Sequence, residues 1–367
     1  MNKKDRVMTT LDHKEPDLVP ITELAIDLPH LESIAQTEFT REVSLQTPLS
    51  ADRRSESEMN SLIVLAYRKL GFELIPRELS TADGWGPPRN PGGTMNDEWG
   101  RVLSYDSTAR AWVPTGSVFT SPDDFDQFPF PDPHASGRLF AIEDMKRKIG
   151  DEMFLAGLVK DPFAVVWEMF NVTNFVKWLY EKPNFIRQVI ERVTEFNVEM
   201  IKQIADAKAD IIICDGDYAE KRGPLVPVKF FKEVILPNLR RQVNVAHKVG
   251  LQFIKHTDGN LNPILPDLAD IVDGLHSLDP TAGMDLGDLK RRYGDKLLLM
   301  GNVSVDNLCT KTTQEVAQET KECIRIAAPG GGYILSSSNS WYADAKLDNC
   351  LTMVNVGRDF GHYPIQI

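Results

Sequence analysis

The chain has 367 residues, 42% hydrophobic and 26% charged, with a formal net charge of −12. That balance describes a globular protein with a full core, and the negative charge weighs against nucleic acid or anionic membrane as main partners, because phosphate binding needs a basic footprint. No apolar run reaches the roughly 18 residues that span a bilayer, no apolar stretch follows the basic start as a leader requires, and the scattered Cys214, Cys309, Cys323 and Cys350 form no CxxC, so the expectation is a reduced, cytoplasmic protein.

In chain order, residues 1–18 read as a short helix ending at Glu15-Pro16-Asp17, and residues 19–24 as a first strand that Pro20 confines to an edge or entry. Residues 57–70 look helical and residues 71–75 strand-like. Residues 80–135 concentrate Trp85, Pro87, Pro88, Gly92, Gly93, Trp99 and Trp112, with a Pro/Asp/Phe-rich run from Ser121 to Pro133. Gly and Pro at this density break regular elements, which predicts an insertion with hairpins, one around residues 97–102, serving as a lid or binding loop.

From residue 150 the pattern is regular. Residues 154–159 form an apolar run of strand length. A helix follows Lys182-Pro183-Asn184, with Ile186, Val189, Val193, Phe196, Met200 and Ile204 on one face. Strands are expected at 211–214, 251–255, 271–275, 297–300 and 332–335, with helices at about 227–249 and 313–327 between them. The strands are continuous apolar runs, as in a parallel sheet covered by helices on both faces. A doubly wound sheet gives the same alternation. A (β/α)8 TIM barrel is preferred because no Gly-rich phosphate fingerprint follows the first strand and polar residues follow every late strand. Residues 1–367 are read as one barrel domain, with the 80–135 insertion over its mouth.

Barrel enzymes build their sites at the C-terminal ends of the strands. Those ends offer Asp215, Asp217 and Glu220; His256, Asp258 and Asn260; His276 and Asp279; Asn302 and Ser304; and Ser336, Ser337, Ser338 and Asn339. His256 with Asp258 is the sharpest pair, since imidazole and carboxylate converging in a barrel mouth bind zinc or move protons; the plainer alternative is a strand cap followed by an Asp-Gly turn. Asp215 and Asp217 can equally cap the next helix, Glu220 can be solvated, and His276 can bond a carbonyl. Trp167, Phe170 and Phe175 are a helix core or a wall for a flat ligand. Gly330-Gly331-Gly332 reads as a tight turn feeding a strand, not a phosphate cradle.

Several stretches resemble the uroporphyrinogen decarboxylase superfamily: Lys4-Asp5-Arg6-Val7 through Val19-Pro20, Asp97-Glu98-Trp99-Gly100, His256-Thr257-Asp258-Gly259-Asn260, Gly283-Met284-Asp285-Leu286, Tyr293-Gly294-Asp295-Lys296, Gly301-Asn302-Val303 and Ala328-Pro329 through Ser336-Ser337. The resemblance covers nearly the whole chain and implies the barrel fold with either decarboxylase or corrinoid-dependent methyltransferase activity. Decarboxylases of the family carry an Arg-Gln-Ala-Gly-Arg pattern after the first strand to hold the substrate's carboxylates. Residues 23–29 here contain no arginine and two acids, Glu23 and Asp27, which repel such an anion.

The thiol-activating methyltransferases bind zinc through His-X-Cys and a distant Cys; Asp258 stands where the first Cys would be. Resemblance to the methyltransferases that start O-demethylation of methoxy-aromatics implies a Glu-X14-Glu-X20-His zinc pattern. Glu220 and His256 match its ends, while its middle falls on Ile235, with Glu233, Asp217 or Asp258 as substitutes. The resemblance therefore implies a zinc enzyme, the O-demethylase component of a methyltransferase system, that passes a methyl group from a methoxylated aromatic to the cob(I)alamin of a separate corrinoid protein. The expected roles are catalysis by His256, Asp258 and Asp215; substrate binding by Trp167, Asn302, Asn339 and His276; and metal ligation by Glu220, His256 and Asp217. A homodimer is a candidate assembly. The competing functions are a lyase of altered specificity and an inactive barrel serving as a binding protein.

Overall fold

The computed structural model describes residues 1–41 and 52–366. Seven parallel strands form one sheet in chain order: β1 (Leu74–Glu78), β2 (Phe154–Lys160), β3 (Ile211–Asp215), β4 (Gln252–Thr257), β5 (Gly274–Ser277), β6 (Leu298–Val303) and β7 (Tyr333–Ser337). Residues 20–22 close the ring. Ile21 bridges Leu335 in parallel, Leu335 N donates to Pro20 O, and Glu73 N donates to Ile21 O. On the other edge the Thr22 hydroxyl donates to Leu74 O at 2.7 Å. Pro20 is tolerated because only its carbonyl is needed at that position. The expected barrel is present; of the first strand expected at 19–24, a single bridge at Ile21 with its flanking hydrogen bonds forms.

Side chains alternate along a strand, so every second residue faces the barrel axis. Leu74, Phe154, Ala156, Ile211, Ile213, Ile254, Leu298, Met300 and Ile334 fill the interior, and Val7 and Leu11 of the helix Lys3–Leu11 pack with them. The opposite set packs against the surrounding helices. Continuing the inward parity past the apolar layer brings Lys160, Asp215, His256 and Ser336 to the mouth, whereas the Asn302 amide is taken up by Leu278 O and the Cys323 thiol.

This parity explains where the expected strand limits move. Apolar runs stop where the inward face turns polar, yet ladder hydrogen bonding is indifferent to the side chain. The strand expected at 251–255 therefore extends to Thr257, that at 297–300 to Val303 and that at 332–335 to Ser337. His276 and Asn302 lie within strands. The strand expected at 271–275 is Gly274–Ser277. The strand expected at 71–75 begins at Leu74 because Gly71, at φ +70°, ends the helix Arg53–Leu70. That helix starts four residues earlier than expected, where Asp52 accepts from Arg54 N and Ser55 N.

Within the insertion, Arg101–Asp106 and Ala111–Ser117 form an antiparallel hairpin, with Met95–Asn96 on its edge. The hairpin expected around 97–102 is present: Met95–Asn96 pairs antiparallel with Val102 and Leu103 across a turn held by Asp97 Oδ1 accepting from Trp99 N and Arg101 N at 2.9 and 2.8 Å. The insertion is fixed to the barrel side by Trp99 edge-on to Phe196 and Phe119 edge-on to Phe170.

Candidate active site

Asp217, His256 and Asp258 each present one ligand atom within 4.8 Å of the others. His256 ends the inward face of β4, and its Nε2 lies 3.5 Å from Asp215 Oδ1 and 3.9 Å from Asp258 Oδ1. Asp217 Oδ1 accepts from Asp258 N at 2.8 Å, which ties the loop after β3 to the loop after β4. Asn339 Nδ2 donates to Asp258 Oδ2. Asp258 Oδ1 is buried and has no hydrogen-bond partner. A buried acceptor left unpaired costs about 1–3 kcal/mol, and a cation between Asp217, His256 and Asp258 would satisfy it. Nitrogen and carboxylate donors with no thiol among them fit Zn²⁺.

The loops carrying these ligands are positioned from beneath. Lys255 is fully buried, pointing away from the barrel axis by strand alternation. Its ammonium donates to the carbonyls of Gly216, His256 and Cys214, and sits 3.6 Å from Asp161 and 4.3 Å from the Tyr218 ring centroid. Gly259 has φ +84°, and a Cβ there would come within 2.5 Å of the Ala219 backbone. Only glycine lets these two loops approach so closely.

Electrostatics divide the carboxylates. Burial pushes the Asp215 carboxyl up, but Lys160, His256 and Lys255 outweigh it and hold it at about 2. Burial raises Asp258, opposed by His256 and reinforced by Asp217. Asp215 is thus a fixed negative charge, while Asp258 awaits a positive partner.

Behind His256 lies a buried polar chain. His256 Nδ1 and His276 Nδ1 are 2.7 Å apart, His276 Nε2 lies 3.3 Å from Ser336 Oγ, and Ser336 Oγ donates to Glu23 Oε1 at 3.1 Å. Burial and the neighbouring His256 both push His276 well below the usual histidine range. Burial lifts the Glu23 carboxyl to about 8 despite bonds from Ser337, Ser336 and Leu24.

Beside Asp215 opens a cavity of about 80 Å³, lined by Glu78, Leu158 and Lys160 from strand ends, Trp99 and Arg101 from the insertion, and Arg138, Val165 and Phe196. Its cations are already countered. Arg101 pairs with Asp97 and Glu168, Arg138 with Glu98, and Lys160 with Glu168 and Asp215. Burial raises the Glu78 carboxyl above its ordinary range. The space therefore combines aromatic walls with no spare positive charge.

Of the residues singled out from sequence, Asp215, Asp217, His256, Asp258, His276 and Asn339 converge. Glu220 does not join them. It lies exposed on the small hairpin after β3, and its contribution is a backbone carbonyl accepting from Asn260 N at 2.9 Å. The histidine-to-glutamate spacing matched a linear pattern, whereas the chain reverses at residues 219–224 and carries Glu220 outward. Asp258 takes its place in the group. Asn302 donates to Leu278 O at 2.8 Å and accepts from Cys323, so its amide serves internal bonds. Trp167 is half-buried on the helix Pro162–Glu181, its indole N–H without a partner, and it does not line the cavity. Sequence reading missed Glu23 as a site residue, as well as Glu78, Arg101, Lys160 and Lys255. The two-residue spacing of Lys160 from the apolar Leu158 and Ala156 was the available signal.

The profile of the uroporphyrinogen decarboxylase (URO-D) family matches residues 105–360. A methylcobamide:CoM methyltransferase, MtaA, from Methanosarcina barkeri is 26% identical over 200 residues, covering 53% of this chain and 57% of the relative, so the chain spans little more than half that relative's length. A uroporphyrinogen decarboxylase from Serratia proteamaculans is 20% identical over 251 residues, covering 64% and 67%. Among solved structures, a methyltransferase from Methanosarcina mazei superposes with a TM-score of 0.73 at 22% identity, covering 98% of this chain and 99% of that one. At that identity the likeness shows the shared fold.

Proposed function

The chain belongs to the uroporphyrinogen decarboxylase family, and from that premise we propose that it is a corrinoid-dependent methyltransferase acting as an O-demethylase. In this reading the methyl group of a methoxylated aromatic passes to the cob(I)alamin of a separate corrinoid protein. The observation that carries it is the donor set at the mouth: Asp217, His256 and Asp258 supply oxygen and nitrogen, and no cysteine is among them. A metal held by carboxylate and imidazole suits polarising an oxygen, whereas thiolate ligands suit softer chemistry. Zinc bound there supplies Lewis acidity toward an ether oxygen, making phenolate a better leaving group.

The chain's own residues do the rest. Asp215 stays ionised beside His256, 3.5 Å from its Nε2, and Asn339 fixes Asp258 by donating to its Oδ2. Trp99 and Phe196 offer flat apolar walls to an aromatic ring, and the insertion shields that space from water. A polycarboxylate would meet no free cation there, since Arg101, Arg138 and Lys160 are each paired with a carboxylate, which disfavours a decarboxylase-like lyase acting on such substrates. A partner-borne corrinoid is in keeping with the Methanosarcina barkeri relative, a methylcobamide:CoM methyltransferase. Among the described residues no helix is long and apolar enough to cross a membrane.

The test is incubation of the zinc-loaded protein with cob(I)alamin and a panel of methoxy-aromatics, following the methylcobalamin spectrum. Methylcobalamin with at least one donor, lost in His256→Ala, is the expected result. No methylcobalamin with any donor, or formation with His256→Ala at the wild-type rate, would overturn the proposal.

A further inference from the structure

We infer that Glu23, Ser336 and His276 are positioning residues that set the tautomer of His256, so that its Nε2 lone pair faces the carboxylates of Asp217 and Asp258. This rests on the reading that those three residues hold a metal. Glu23 is the far end of this hydrogen-bonded path. Glu23 Oε1 receives the backbone N–H of Leu24 at 3.3 Å, and Glu23 Oε2 receives that of Ser337 at 3.2 Å. A backbone N–H can only donate. Both oxygens thus accept one backbone N–H, but the hydroxyls of Ser336 and Ser337 both lie on Oε1, at 3.1 and 2.9 Å, so a neutral carboxyl keeps its proton on the less crowded Oε2 and Oε1 stays the acceptor.

The direction of every later bond follows. The Ser336 hydroxyl gives its hydrogen to Glu23 Oε1 at 3.1 Å, so its oxygen accepts from His276 Nε2–H at 3.3 Å. A neutral imidazole carries one hydrogen, which leaves His276 Nδ1 bare. At 2.7 Å from it, His256 Nδ1 must then carry a hydrogen. In the neutral ring that a metal ligand requires, Nε2 of His256 is then the lone pair, 3.5 Å from Asp215 Oδ1 and 3.9 Å from Asp258 Oδ1. A lone pair aimed at two carboxylates is unfavourable alone and favourable with a cation between them. The state of one ring nitrogen is set by the bond the other makes, and here three buried groups, Glu23, Ser336 and His276, make that choice.

The experiment combines zinc affinity, by competition with a chromophoric chelator, with ¹⁵N NMR of the histidine rings in metal-free and zinc-loaded protein. Ser336→Ala cuts the chain at a small side chain. Ser336→Thr keeps the hydroxyl. Ser337→Ala removes a 2.9 Å bond to the same Glu23 oxygen without interrupting the path. In wild type, His256 shows one locked tautomer with Nδ1 protonated. Ser336→Ala should mix the tautomers and weaken zinc binding by roughly 10–100-fold, the usual effect of losing a group that orients a ligand. Ser336→Thr restores both readings, and Ser337→Ala leaves both at wild type. Wild-type affinity and a locked ring in Ser336→Ala overturn the inference, as do mixed tautomers in the wild type. A wild type with a locked ring that binds no zinc removes the metal reading and leaves the chain standing.

Discussion

Replacing Arg101 with methionine should loosen the attachment of the insertion to the barrel. The guanidinium is 1% exposed and pairs with Asp97 in the insertion and Glu168 on the helix after β2. Removing one partner of a buried ion pair costs about 3–5 kcal/mol, because a charge is left uncompensated. Here each orphan keeps some support. Asp97 retains two backbone N–H bonds at 2.9 and 2.8 Å, and Glu168 retains Lys160 at 3.0 Å. Methionine also preserves much of the apolar stem. The expected loss is therefore near the lower bound, about 3 kcal/mol. Urea unfolding followed in parallel by far-UV circular dichroism and tryptophan fluorescence measures it. Non-coincident curves, with fluorescence changing first, would show the insertion opening before the barrel. Adding Glu168→Gln to Arg101→Met should cost less than the two single losses summed, by about 1–3 kcal/mol, as expected for groups in one network. A single variant within about 0.5 kcal/mol of wild type, the range of ordinary surface changes, would refute the assignment of Arg101 as the latch.

His256→Ala and Asp258→Asn should each lower bound zinc, while Glu220→Gln should retain the wild-type amount; metal analysis after dialysis reads all three, and loss in Glu220→Gln alone would restore the linear ligand pattern. Gly259→Ala should weaken zinc binding and stability together, since a Cβ at φ +84° lies within 2.5 Å of the Ala219 backbone; a variant with unchanged melting and zinc affinity would contradict this. Purified protein should form no coproporphyrinogen from uroporphyrinogen by chromatography. Glu23 gives a pH prediction. Its carboxyl is raised from an ordinary 4.5 to about 8, chiefly by burial, so the folded state keeps a proton that the unfolded chain releases. Its contribution is whole below about 4.5 and is lost as pH rises through about 8. Urea midpoints should therefore fall from pH 5 to 9 more steeply in wild type than in Glu23→Gln, and parallel curves would remove Glu23 as the cause.

The sequence by itself determined a parallel sheet covered by helices on both faces, and favoured the barrel over a doubly wound sheet because polar residues follow every late strand. Apolar runs of strand length alternating with amphipathic helices require strands buried on both faces, and residues 211–214 and 154–159 announce this without help from any neighbour. It also brought His256, Asp258, Asp215 and Asp217 into view, because polar residues directly after such runs stand at the mouth. What it could not determine was which of these side chains meet. Glu220 satisfies a spacing yet points outward after the reversal at residues 219–224, whereas Asp258, two residues beyond His256, turns back beneath Asn339. Glu23 and Ser336 are 313 positions apart and touch only because residues 20–22 close the ring against the last strand. Arg101 and Lys160 read as surface charges until the insertion folds onto the barrel and buries Arg101 and shields Lys160. Periodicity is local and survives in the sequence; closure of a barrel is a contact between chain ends, and only the tertiary structure decides what it encloses.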